Sequence, residues 1–170
     1  MSVLHIVGID PGLVHTGLVR MRFDEDRKEL TVSHAVVSGL DADTAARWVN
    51  LIQVPRPFVF IEKYAPRHSL NSDERMVQGE AALRRAIPRA EFLRNTGVKS
   101  VVHPSVLQLM GVWRFDTKTH HQDLQSAARI AVLGAMRTQE TNHVLAEVVR
   151  SHLDDKSWTV VDQGGGEYGP

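Results

Sequence analysis

Apolar residues fall in short runs between turn residues, and the runs change character along the chain. Val3-Leu4-His5-Ile6-Val7 has the pattern of a short buried strand. It leads into Gly8-Ile9-Asp10-Pro11-Gly12, closed by Thr16-Gly17. Proline fixes φ and glycine permits positive φ, so the chain turns here, with Asp10 at or just past the strand end. Leu18 to Phe23 resumes as a second strand. Asp24 to Glu29 is a charged turn, and Leu30 to Val37 alternates loosely as a third antiparallel strand, ended by Gly39. Asp41 is placed to cap a helix with Ala45, Trp48, Val49 and Ile52 on one face, stopped by Pro55 and Pro57.

Phe58-Val59-Phe60-Ile61 is apolar at every position, as a central strand buried on both faces would be, and it ends in Glu62. A polar loop, Ala65 to Asn71, carries Pro66, Arg67 and His68. Ser72 can cap a helix running through Met76, Leu83 and Ile87 to Pro88. Val98 to Val102 reads as a further short strand, and Pro104 to Met110 as a short helix with Gly111 after its end. Val112 to Thr117 is a loop holding Trp113 and Phe115. A long helix is expected from Thr117 or Lys118, with Leu124, Ala127, Ala128, Ala131 and Ala135 at helical spacing. A last helix spans Asn142 to Leu153, and Ser157 to Val161 forms a late edge strand. The glycine-rich stretch Gln163 to Pro170 is expected to be a disordered tail, leaving one domain over 1–162.

A three-strand meander, helix, strand, helix, strand and then helices make a mixed-sheet α/β layer fold. Sites in such sheets form at the carboxyl ends of strands, where Asp10 and Glu62 both fall. His120 and Asp123 lie three apart, on one face of the expected helix.

Composition narrows the chemistry. The 170 residues contain no cysteine, which removes disulfides, thiolate zinc sites and a cysteine nucleophile, and fits a reducing compartment. No signal peptide or apolar span stands out, so a cytoplasmic location is expected. Net charge is zero, which counts against a nucleic-acid binder unless charge is segregated. It is segregated: Arg84, Arg85, Arg89, Arg94 and Lys99 face only Glu91 among acids in that interval. Each alone reads as a solvated helix face; together they read as a patch that follows a phosphate backbone.

Asp-Pro-Gly is also common turn chemistry, so Asp10 by itself is equally a turn residue. The distant acids change that balance. Carboxylates converging from separate elements repel unless a cation lies between them, and Mg²⁺ or Mn²⁺ favours such oxygen donors. Two ions about 4 Å apart can activate water and stabilise the leaving oxygen of a phosphodiester. In that arrangement Asp10 bridges, Glu62 holds one ion, and Asp123 and His120 hold the other. His121 competes with His120, and only the three-residue spacing selects the latter. Trp48 reads as core; Trp113 and Phe115 stay open between core, dimer contact and DNA stacking.

Gly-Ile-Asp-Pro-Gly…Thr-Gly, a strand ending in Glu62, the following Gln78-Gly79-Glu80-Ala81, and His120-x-x-Asp123 before an alanine-rich helix resemble the RuvC family of Holliday junction resolvases. The likeness runs from Val3 to about Ala135. It implies an RNase H-like fold and a homodimer that nicks a four-way DNA junction. It also makes Asp10, Glu62, His120 and Asp123 the metal-binding catalytic set, with two Mg²⁺ or Mn²⁺ ions. Tyr64 matches, one position out of register, a family aromatic near the junction centre. Lys118 corresponds to a family lysine near the scissile phosphate. With Arg67, Arg84, Arg85 and Arg89 they form the expected DNA contacts. The interval from Gly111 to His120 is shorter than in the family. The compact form and extra C-terminal helix point to a bacteriophage member, with other branched DNA as further substrates.

Two other classes share features with the chain. Actin–hexokinase phosphotransferases carry an Asp-x-Gly-x-x-x-Thr loop, but need a second such domain, and no second loop of that kind appears. A non-catalytic branched-DNA-binding protein of the same fold has no physical need for converging acids.

Overall fold

The computed structural model describes residues 3–52, 55–66, 70–153 and 158–168. Strands β1 (Val3–Asp10), β2 (His15–Asp24) and β3 (Glu29–Ser38) form the antiparallel meander. Helix α1 (Ala42–Asn50) leads to β4 (Phe58–Lys63), which pairs in parallel with β1. Helix α2 (Leu70–Ala86) precedes β5 (Glu91–Arg94), parallel to β4. The short α3 (Val98–Val101) and α4 (Pro104–Leu109) follow, then α5 (His121–Arg137), α6 (Gln139–Leu153) and β6 (Thr159–Tyr168). The six-stranded sheet has the order β5-β4-β1-β2-β3-β6.

Alternation along the strands divides the apolar residues between two layers. Ile6, Val19, Met21, Val32, Phe60 and Leu93 face α5, joined by Leu124, Ala127, Ala131 and Val144. Val7, Ile9, Leu18, Val59 and Ile61 face α1 and α2, meeting Ala45, Val49, Leu83 and Ile87. The sheet is thus buried on both faces, and the all-apolar β4 is central, as its sequence predicts. Asp41 caps α1, its Oδ1 accepting from the N–H groups of Asp43 and Thr44. Among the described residues no helix is long and apolar enough to cross a membrane.

Three expectations need correction. The strand expected at Val98–Val102 is instead β5, earlier in the chain, and Val98 opens a helical turn. Val98 and Val102 are both buried beside α5, a four-residue spacing that one helical turn satisfies. The long helix starts at His121 rather than at Thr117 or Lys118, because His120 adopts a left-handed φ of 67° that no helix interior accepts. The segment from Gln163 is not a disordered tail up to Tyr168: β6 continues through it, parallel to β3. Gly165 serves close approach, since a Cβ there would lie 2.2 Å from the carbonyl oxygen of His34.

Candidate active site

Asp10 is the last residue of β1, and Glu62 is the penultimate residue of β4. Parallel register pairs Ile9 with Ile61, so the next residue of each strand projects from the same sheet face at the same end. That is the α5 face. Glycines let the helix descend onto it. A Cβ on Gly8 would lie 1.9 Å from the carbonyl oxygen of Ala127, and one on Gly17 2.6 Å from that of Asp123. Side chains larger than hydrogen would lift α5 away and carry Asp123 with it.

The acids meet as a consequence. Asp10 lies beside Glu62 and Ser126, and it feels the charge of both Glu62 and Asp123. Burial, then the Glu62 and Asp123 carboxylates, push the Asp10 carboxyl up to about 8; the Ser126 contact opposes this. The Asp10 carboxyl is therefore the one of the three that burial and its neighbours disfavour as an anion. Glu62 is fixed on its other side by Asn95, whose Nδ2 donates to Oε1 at 2.7 Å.

The turn after Asp10 is held by Thr16. Its hydroxyl donates to the carbonyl of Gly39 at 2.8 Å and accepts from the N–H of Gly12 at 3.4 Å. Gly12 does not use positive φ; a Cβ there would lie 2.2 Å from the carbonyl oxygen of His15.

His120 lies just before α5 and not within it. Its Nδ1 is 3.5 Å from Oδ2 of Asp123, and its ring packs edge-on against His15 with centroids 4.1 Å apart. His120, not His121, is therefore the histidine beside Asp123. Among the described residues no group of three or more His, Asp or Glu side chains is arranged as a ready metal cage. The donors do fit a hard divalent ion chemically. Half-buried carboxylates brought close to one another form a site where a cation relieves both repulsion and desolvation.

The expected DNA contacts are scattered. The backbone N–H of Tyr64 donates to Oε2 of Glu80 at 3.0 Å, which ties the end of β4 to α2. Arg84 pairs with Oε1 of Glu80 at 2.8 Å and covers the Phe92 ring at 3.8 Å. Arg84, Arg85 and Arg89 belong to the α2 side of the sheet, across it from Asp10 and Glu62. Arg89 bonds Asn50 and lies beside Phe58, at the start of β4 rather than its end. Lys118 lines a groove of about 470 Å³ with His34, Asp116, Thr117 and Glu167. Arg67 lies outside the described residues. Phe115 is buried against His34, Trp113 packs on the core, and Trp48 is buried, so core is the setting of all three.

Asn95 and Ser126 escaped the sequence reading. Ser126 follows Asp123 at the same helical spacing that singled out His120, and that spacing could have found it. Nothing local marks Asn95, which reaches Glu62 only because β5 pairs with β4.

In sequence, the chain matches no protein-family model and no curated protein. In structure it is similar to Thermus thermophilus RuvC in complex with Holliday junction substrate, with a TM-score of 0.54 and 17% identity over 85% of this chain and 95% of that one. A second structure of Thermus thermophilus RuvC gives a TM-score of 0.52 and 18% identity, covering 86% and 97% of the two chains. The chain has the RNase H-like fold, shared with these structures along nearly their whole length.

Proposed function

We propose that the protein is a divalent-metal-dependent endonuclease that acts on branched DNA, the four-way junction foremost. The observation that carries this reading is that Asp10 and Glu62 project from adjacent strand ends onto the face where Gly17 admits Asp123; burial and the other two acids push the Asp10 carboxyl up to about 8. Acids gathered at a strand end with no Lys or Arg among the described residues paired to them mark a functional site more than a structural one. The likeness to a RuvC bound to a Holliday junction supports the substrate class.

In this reading Asp10 would be the ligand shared by two Mg²⁺ or Mn²⁺ ions, Glu62 would help hold one, and Asp123 with His120 would help hold the other. The ions would supply positive charge that makes water nucleophilic near neutral pH and stabilises the departing oxygen. Asn95 keeps Glu62 in place, which reduces the side-chain reorganisation needed. Water attacks the phosphorus in line and the P–O3′ bond breaks, leaving a 5′-phosphate and a 3′-hydroxyl. Lys118 and Tyr64 lie toward the substrate; Arg67, Arg84, Arg85 and Arg89 contact flanking backbone. A homodimer would place two such sites on one junction, in the cytoplasm of a bacterium or a phage-infected cell.

The test is a gel assay of a synthetic four-way junction beside linear, forked and flapped DNA, with and without Mg²⁺ or Mn²⁺. Metal-dependent nicking that prefers the branched forms is expected. Junction binding without cleavage in either metal would make the chain a binding protein. ATP hydrolysis with no nicking would return it to the phosphotransferase class.

A further inference from the structure

Strand β6 brings a carboxylate to the rim of the site that the rest of the fold does not supply. Register pairs Val36 with Glu167, and Val36 faces the α5 layer, so Glu167 projects to the same side as Asp10 and Asp123. Its Oε1 is 3.9 Å from Nε2 of His120. The other ring nitrogen, Nδ1, is 3.5 Å from Asp123. One imidazole thus stands between an acid of α5 and an acid of β6, with His15 against its flank.

Two features show that this placement is built in. His120 holds a left-handed φ of 67°, which a non-glycine residue adopts only when its surroundings impose it. The path of β6 is equally constrained. Its register shifts between Val32 and His34, Gly164 takes a φ of 71°, and Gly165 passes so close to His34 that any side chain there would collide. Moving the shift by one residue would turn Glu167 to the opposite face.

We propose that Glu167 is a positioning residue for His120. Its Oε1 stands 3.9 Å from Nε2, close enough for a side-chain rotation of this exposed residue to bring it into hydrogen-bond range; there it would accept the Nε2 proton, fix the tautomer with Nδ1 unprotonated, and present that nitrogen on the Asp123 side, where the metal-binding reading puts a divalent ion. A histidine ligand whose second nitrogen is held by a carboxylate binds its metal more tightly, and loss of such a partner lowers metal affinity by about 10- to 100-fold. The inference rests on the metal-binding reading of His120 and Asp123.

The experiment measures Mn²⁺ binding to the full chain without DNA, by calorimetry and by the Mn²⁺ EPR signal, in wild type, E167A, E167Q, H120A and D10N. Glu167 has an exposed side chain, so its substitution leaves the core intact. Wild type should bind, and E167A should bind about tenfold more weakly. E167Q should recover part of the loss, because its amide oxygen can still accept from Nε2. Nitrogen-15 shifts of His120 should show a defined tautomer in wild type and a mixture in E167A. If E167A binds Mn²⁺ like wild type while H120A and D10N do not, Glu167 has no positioning role and the metal reading stands. If wild type binds no better than D10N, the metal site itself is wrong and this inference falls with it.

Discussion

Only a hydrogen atom on Gly17 separates β2 from the backbone of Asp123: a Cβ at that position would lie 2.6 Å from the Asp123 carbonyl oxygen. The conflicting atom is helix backbone, which cannot rotate aside. Gly17→Ala should therefore push the start of α5 outward and separate Asp123 from Asp10. Strain of this kind costs about 1–3 kcal/mol. The variant should stay folded by circular dichroism yet lose most of its metal-dependent cleavage. A Gly17→Ala protein with unchanged cleavage and unchanged melting temperature would show that this approach does not hold the site.

Asp10 makes stability depend on pH in the absence of metal. Its carboxyl is raised to about 8 in the fold, chiefly by burial and then by Glu62, against 3.8 in a free chain. Between those values the folded state keeps a proton that the unfolded state has released. The associated stability is fully present below the lower value and is lost as pH rises through the upper one. Asp10→Asn carries no such proton, so it should gain on wild type as pH rises. Each pKa unit is worth about 1.4 kcal/mol, which makes the gain on the order of a few kcal/mol. Urea unfolding in a chelator, at about pH 5 and about pH 8, measures it; a constant difference between the proteins would contradict it. In Mg²⁺ or Mn²⁺ the same variant should bind junctions and fail to cut them.

Asn95 offers a test that leaves every acid in place. Its Nδ2 donates to Oε1 of Glu62 at 2.7 Å. Asn95→Ala frees that carboxylate to rotate, and should lower cleavage by about tenfold or more while raising the metal concentration needed for half-maximal rate. Asn95→Asp should be worse, because it replaces a donor to Glu62 with a further carboxyl group beside the existing acids. Kinetics in a Mn²⁺ series decide it, and equal metal requirements in wild type and Asn95→Ala would remove Asn95 from the site.

The basic residues should divide by position. Lys118 lines the groove that includes Glu167, whereas Arg85 and Arg89 lie on the α2 side of the sheet. Each phosphate contact adds about 0.9 to the slope of log affinity against log salt. Lys118→Ala should lower that slope by about one contact and slow cleavage at saturating DNA. Joint replacement of Arg85 and Arg89 should reduce the slope and leave the saturated rate unchanged. A rate loss in the arginine variant would move the DNA path to the α2 face. Arg84 is a poor probe, because it also braces Glu80, which holds the Tyr64 N–H.

The strands of the meander, the buried β4, the cap at Asp41 and the acids at strand ends were legible in the sequence, because each depends on local chemistry. Period-two or continuous apolar runs need a sheet, proline and glycine end them, and a short polar side chain caps a helix. Val98–Val102 misled because a four-residue spacing of valines satisfies a helical turn as well as a strand. The glycine-rich end misled because Gly165, which suits a flexible chain, also lets β6 pass close to His34. Which residues stand beside the acids was decided only by the tertiary structure. Asn95, Ser126 and Glu167 reach the site through strand pairing and through the descent of α5 onto Gly8 and Gly17, and the same packing set the arginines of α2 on the far side of the sheet. Local sequence fixes what each segment can become; contacts between distant segments arise from packing that no single segment encodes.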